Sequence, residues 1–242
     1  MTKLSVNLNK VALLRNARDV GYPSVSKAAA TCIRAGCHGI TVHPRPDERH
    51  IRRSDAHELV PIVADVEFNI EGNPFPEFME LVREAKPTQC TLVPDDPDQN
   101  TSDHGWDLTT ESGRVGPLVE ELNGLGIRVS LFLDPVEEQV RLAGQLGADR
   151  IELYTEPYAS AFAAGNYAET LAQYTRAAEL AAGLGLGTNA GHDLTLDNLG
   201  PFLRTVPRVA EVSIGHALIS DALDMGLDSA VRAYLDVLKA AV

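Results

Sequence analysis

Residues 43–50 read HPRPDERH and place His43, Arg45 and His50 directly after an apolar run, GITV. An imidazole with an ordinary pKa of about 6.5 can give or take a proton near neutral pH. A guanidinium holds phosphate through paired N–H donors. The segment therefore joins proton transfer to anion binding. Two carboxylates, Glu71 in FNIEG and Glu152 in RIELY, interrupt apolar stretches, where an unpaired carboxylate is costly and implies a partner or a task. Other polar groups close further apolar runs: Asn7, Asn9 and Lys10 in VNLNK, His192 and Asp193 in TNAGHD, and Gly215 and His216 in SIGH.

A metal site is the first chemical alternative, because His43, His50 and His57 recur every seven residues. That spacing is not the H-x-H or H-x₃-H form by which one strand or helical turn presents two ligands. Arginine between the first two also repels a cation. Phosphate suits Arg45 and His50 better, and the backbone amides of Gly191, Gly215 and His216 offer a second anion site. Two such sites imply one substrate with two phosphates or two phosphorylated substrates. His57 and His104 show no comparable placement and are read as structural, and Arg49, Arg52 and Arg53 as mostly solvated.

The elements that must position these groups alternate along the chain. Eight candidate strands lie at 4–8, 39–43, 66–72, 89–94, 128–134, 150–155, 185–191 and 211–216, short and rich in Val, Ile and Leu. Helical spacing of apolar residues fills most of the gaps, as in SVSKAAATCIRAG, FPEFMELVREA, VGPLVEELNGLG, PVEEQVRLAGQLG and the Ala-rich stretch 167–183. Gly36, Gly126 and Gly147 sit where a helix C-terminus needs a left-handed residue. Eight strand–helix units in 242 residues fit a (β/α)₈ TIM barrel, for which about 250 residues is typical. A doubly wound open sheet is the runner-up, but it carries fewer strands at this length and the GxGxxG fingerprint after the first strand is missing. In GLGLGTNAG the first glycines end a helix and precede a strand, the wrong order for that motif. In a parallel barrel every strand end faces one mouth, which brings together residues distant in sequence. The polar segment 94–107, PDDPDQNTSDHGWD, follows the fourth strand, carries Thr101, and is read as a lid over that mouth.

A chain of 242 residues with 44% hydrophobic content is expected to form one domain, 1–242. Lys and Arg number 21 against 34 Asp and Glu, a formal charge of −13, which disfavours nucleic acid or an anionic membrane as partner. The start, MTKLSVNL, lacks a signal-peptide pattern, no apolar run approaches the ~20 residues of a membrane span, and a cytoplasmic location is expected. Cys32, Cys37 and Cys90 show no CxxC spacing and are read as reduced, buried and structural.

The stretches NLNKVALLRNAR, GITVHPRPDERHI, FNIEGNP, TLVPD, IELYTEPYA, TNAGHDLT and SIGHALI resemble, in the same order, those of the pyridoxine 5′-phosphate synthase family. The resemblance spans essentially the whole chain, and the combination of H-x-R-x₄-H, N-[IL]-E, NAGH and IGHA is specific to it. It implies a TIM barrel with extra helices that joins 3-amino-2-oxopropyl phosphate to 1-deoxy-D-xylulose 5-phosphate. The pyridine ring of vitamin B6 closes with release of inorganic phosphate and water, without a metal or redox cofactor. It further implies His43 and Glu71 as proton acceptors, His192 as proton donor and Glu152 as stabiliser of cationic intermediates. Arg45 and His50, with Asn7 and Thr101, are implied to hold the deoxyxylulose phosphate, and Arg18 with the Gly215–His216 amides the aminoketone phosphate. Assembly into dimers and octamers is also implied.

Two positions depart from that family. Many members carry Asp-His where this chain reads Asn9-Lys10, and glycine where it reads Asp193. Asn9 can still hydrogen-bond a sugar hydroxyl, Lys10 can meet an anion, and a backbone contact at Asp193 survives. From the residues alone two other functions stay open: a metal-dependent barrel aldolase or epimerase, and a phosphate-ligand binding protein without turnover.

Overall fold

In a computed structural model of the chain, residues 1–99 and 101–241 are described; Asn100, within the expected lid, and Val242 lie outside them. The elements run β1 (Lys3–Asn7), α1 (Asn9–Asn16), α2 (Val25–Ala35), β2 (Gly39–Val42), α3 (Arg53–Leu59), β3 (Glu67–Gly72), α4 (Pro76–Ala85), β4 (Gln89–Leu92), α5 (Leu108–Gly124) and β5 (Arg128–Leu133). They continue with α6 (Glu137–Gln145), β6 (Arg150–Tyr154), α7 (Glu156–Ala163), α8 (Ala168–Gly183), β7 (Gly187–Gly191), α9 (Leu199–Thr205), β8 (Val209–Ile214), α10 (His216–Met225) and α11 (Leu227–Ala240). The strands close in sequence order, β1 through β8 and back to β1, every pair parallel. This is a (β/α)₈ barrel with additional helices.

Period-2 alternation explains why the sheet closes this way round. Leu4, Val6, Ile40, Val42, Ile70, Cys90, Leu92, Val129, Leu131, Ile151, Leu153, Ala190, Val212 and Ile214 join the core between strands and helices. The alternate residues are polar and meet inside the barrel: Ser5 pairs with Thr41 at 2.7 Å, Thr91 donates to Asn69 at 3.1 Å, and Gln89 of β4 reaches across to Glu211 of β8 at 3.4 Å. TIM barrels usually fill this space with Val, Ile and Leu. Here a hydrogen-bonded polar column runs up to the mouth, the main hydrophobic core lies outside the sheet, and a small separate cluster of Val93, Phe132 and Tyr154 sits beside the cavity.

Helix ends follow the expected signals. Ser24 caps α2 by accepting Lys27 N–H at 3.2 Å, and Gly36, Gly126 and Gly147 all take positive φ just after α2, α5 and α6. One helix is longer than its apolar pattern. α5 begins at Leu108, not near Val115, because the Asp107 side chain accepts Thr109 N–H at 3.1 Å and starts the helix two turns earlier. All three cysteines are free and buried, with burial pushing the thiols well up, that of Cys37 to about 12. No helix among the described residues is long and apolar enough to cross a membrane.

Candidate active site

A cavity of about 310 Å³ opens at the C-terminal ends of the strands. Asn7, Asn9, Lys10, His43, Arg45, His50, Glu71, Thr101, Glu152, His192, Asp193, Gly215 and His216 all line it. Two positions singled out from the sequence do not: Arg18, which is exposed in the turn after α1, and Gly191, whose amide was read as part of the second anion site.

The loop after β2 is folded tightly enough to act as a fixed part of the wall. Pro44 and Ile51 form a parallel bridge that brings its two ends together. From α1, Arg15 Nη2 and Asn16 Nδ2 donate to the His50 carbonyl at 3.0 and 2.8 Å, and the buried Arg15 guanidinium is paired with Asp55 of α3. Within the site, Ile51 N–H donates to His50 Nδ1 at 2.9 Å, which leaves the imidazole proton on Nε2. Asn9 does not only face the cavity, since its Oδ1 accepts the backbone N–H of His43 at 2.9 Å.

Close approach at the rim depends on glycine. A Cβ on Gly191 would lie 2.6 Å from Glu152 Oε1, and one on Gly215 would lie 3.2 Å from the Asn7 side chain. Gly215 precedes the N-terminus of α10, so the amides there are directed at the cavity as an anion site requires. His192 and Asp193 both adopt positive φ, 80° and 55°. Asp tolerates such a left-handed turn better than most residues. Thr155 Oγ1 lies 2.6 Å from the His192 carbonyl and Asn198 Nδ2 donates to that of Asp193 at 3.0 Å, bracing the turn. The Asp193 carboxylate is exposed.

The electrostatics follow from burial among like charges. Burial, then the negative charges of Glu152, Asp95 and Glu211, pushes Glu71 well above the carboxylate range. Burial and Glu211 raise Glu152 to about 8, and burial raises Glu211 itself to about 7 against the pull of Arg150. The bases move the opposite way. Burial, Arg45 and His50 hold His43 well below 6.5, and burial, Arg45 and Lys10 bring His50 down to about 4. Burial likewise lowers His192, against the pull of Asp193. Its ring is boxed by Phe132 and Tyr154, centroids 5.2 and 5.5 Å away, and its Nδ1 is buried without a partner. Acids that retain protons and imidazoles that shed them therefore share one pocket, the condition under which protons pass between groups at neutral pH.

Several contributors escaped the sequence reading. Asp95 lies three residues past β4 in the loop that follows, is buried, and bonds Arg45 at 2.5 Å and Ser102 at 2.7 Å. Its place directly after the apolar run 89–94 was a usable signal, hidden by the two aspartates that follow. Phe132 and Tyr154 read as ordinary apolar strand residues. Arg49, expected to be solvated, is half-buried and donates to the carbonyls of Gln99 and Pro97 at 2.8 and 2.6 Å, because the loop after β4 folds over it. His57 is exposed and pairs with Glu84 at 3.2 Å, and His104 is exposed beside Asp103 at 2.6 Å. Among the described residues no group of three or more His, Cys, Asp or Glu is arranged to hold a metal ion.

Solved structures share the fold at low identity. A structure titled "Native KDPGal structure" superposes with a TM-score of 0.63 at 12% identity, covering 98% of this chain and 95% of its own. A tryptophan synthase of Mycobacterium tuberculosis gives 0.64 at 12% identity, covering 98% and 92%. Relatives in sequence are much nearer. Pyridoxine 5′-phosphate synthase of Bacteroides fragilis is 54% identical over 239 residues, covering 99% of this chain and 100% of its own, and that of Xanthomonas axonopodis pv. citri is 53% identical, covering 98% and 97%. Residues 4–240 match the family described as "Pyridoxal phosphate biosynthesis protein PdxJ". With that match extending over nearly its whole length, the chain belongs to the PdxJ family of pyridoxal phosphate biosynthesis proteins.

Proposed function

We propose that this chain is a pyridoxine 5′-phosphate synthase acting in vitamin B6 biosynthesis, and that residues 1–242 form one catalytic domain. It condenses 3-amino-2-oxopropyl phosphate with 1-deoxy-D-xylulose 5-phosphate and releases pyridoxine 5′-phosphate, phosphate and water. Beyond family membership, the observation that carries this reading is the meeting of Glu71, Glu152, His43 and His192 in one cavity, between Arg45–His50 on one side and the Gly215–His216 amides on the other. Arg45, His50, Asn7 and Thr101 hold the sugar phosphate. Gly215 and His216 hold the aminoketone phosphate, and Asn9, Lys10 and the Asp193 backbone complete the wall. Arg18 lies outside the cavity, and we assign it no contact within a single chain.

Each step of the reaction has a group suited to it. The amine of one substrate attacks the ketone of the other, and loss of water leaves an iminium. Glu152, ionised in that step, offsets the cation at close range in a poorly solvated site. Proton removal from carbon then expels phosphate, and an aldol-type closure with loss of water completes the ring. Glu71 and His43 accept protons. A carboxylate whose pKa is raised is the stronger base once ionised. His192 returns a proton to the leaving hydroxyl. Segment 94–107 covers the cavity and keeps bulk water from the intermediates. The chain works in the cytoplasm as a homo-oligomer, an octamer, with the two phosphates as its small-molecule partners and no added cofactor.

The test is direct: purified protein is incubated with both phosphates and the mixture analysed for pyridoxine 5′-phosphate. Product that depends on both substrates supports the reading. Tight binding without product would identify a binding protein instead.

A further inference from the structure

Arg45, placed above on the sugar phosphate, is occupied by acceptors from its own chain. Its Nη2 donates to Asp95 Oδ2 at 2.5 Å and its Nη1 to the Gln99 carbonyl at 2.8 Å. The same Asp95 oxygen accepts the Ser102 hydroxyl at 2.7 Å and lies 3.7 Å from His43 Nε2. Asp95 is 3% exposed, and its other oxygen, Oδ1, is sealed from solvent with no partner. An ion pair serving stability alone would satisfy both oxygens, because an orphaned buried acceptor keeps its full desolvation cost. The carboxylate instead contacts both the anion-binding arginine and the histidine read as a base, and it belongs to the same loop, 94–107, that carries Thr101.

We propose that Asp95 is a positioning residue that acts through Arg45 and His43. Its carboxylate is an internal substitute for phosphate. It holds the guanidinium in place until substrate phosphate displaces it, and then remains beside His43 Nε2. A phosphate offers Arg45 more acceptor oxygens and more charge than the one carboxylate oxygen it replaces, so the exchange runs toward substrate. No covalent bond changes in the exchange. The Ser102 bond persists through it and keeps Thr101 at the cavity edge. The identity of the displacing phosphate rests on the function proposed above; the competition itself does not.

Competition and bracing predict opposite signs. If Asp95 competes for Arg45, Asp95→Asn should bind inorganic phosphate about fivefold more tightly than the wild type by calorimetry, the scale of one partly screened ion pair. The KM for the sugar phosphate should fall while kcat also falls, because His43 loses its carboxylate neighbour. In an Arg45→Ala background the gain from Asp95→Asn should vanish. If Asp95 only braces the loop, its loss weakens phosphate binding and raises KM. Phosphate affinity that is unchanged, weakened or undetectable in Asp95→Asn overturns the proposal, as does a gain that survives without Arg45. Should Asp95→Asn fail to fold by thermal melting, Asp95→Ser carries the same expectation. A wild type that yields no product while Asp95→Asn still tightens phosphate would overturn the proposed function and leave this inference standing. Normal turnover with no tightening would do the reverse.

Discussion

Asn9 Oδ1 holds the backbone N–H of His43 at 2.9 Å, so the residue that opens α1 fixes the point where β2 leaves the barrel. An aspartate at this position can accept the same N–H, so either residue supports the bond. Asn9→Asp should keep the wild-type melting temperature within a degree or two. Asn9→Ala, which orphans that amide, should lose about 1–2 kcal/mol in denaturant unfolding.

Glu71 and His43 end adjacent strands inside the cavity, and both are displaced toward their neutral forms. Glu71→Gln and His43→Asn should each lower kcat about 10²-fold or more with the fold retained by circular dichroism. Near-normal turnover in either would remove that residue from the proton transfers. In the wild type, kcat/KM should rise with pH along a limb lying above the ordinary carboxylate range, and Glu71→Gln should abolish that limb.

Arg45→Lys keeps the charge but loses the two-pronged contact. It should raise the KM for the sugar phosphate more than that for the aminoketone. An equal effect on both would contradict the placement of the two phosphates.

Burial of Glu152 and His50 makes stability depend on pH from both sides. Glu152 titrates at about 8 when folded, against 4.5 ordinarily. Its contribution is complete below pH 4.5 and is lost as pH rises through 8. Glu152→Gln should therefore raise the melting temperature at pH 8–9 and leave it nearly unchanged at pH 4.5, with each kcal/mol worth about 2–4 °C in a chain this long. His50, lowered to about 4, has the opposite dependence, and the native state loses its contribution as pH falls from 6.5 toward 4. A Glu152→Gln shift of equal size at both pH values would show that the carboxyl is not held protonated.

The segment after β4 is anchored at its far end by Trp106, whose Nε1 donates to the Leu92 carbonyl at 2.8 Å, and by Gly105, where a Cβ would sit 2.3 Å from Asp134 N. Between these anchors, hydrogen exchange of 94–107 should slow when both substrates or product are bound, while the strands change little. Identical exchange with and without ligand would defeat the lid. Solution mass should be that of an oligomer at micromolar concentration.

The sequence by itself determined the architecture and most of the cavity wall. Strand alternation and helix C-capping are local properties, readable over a few residues, and closure of a parallel barrel obliges every strand end to face one mouth. His43, Glu71, Glu152, His192 and Gly215 were legible because each breaks or directly follows an apolar strand, and Arg45 and His50 because they fall in the loop that follows one. Tertiary structure alone decided what these groups do to one another. The coupling of Glu71 and Glu152 to Glu211, the hold of Asp95 on Arg45 and the closeness of Gln89 to Glu211, 122 residues apart, arise only when the sheet closes. Arg18 shows the same limit from the other side, since it carries a suitable charge but lies on the outer turn after α1. Charge and hydropathy follow from residue type, whereas a shifted pKa or an occupied guanidinium follows from distance and burial, and a linear pattern encodes neither for groups on different strands.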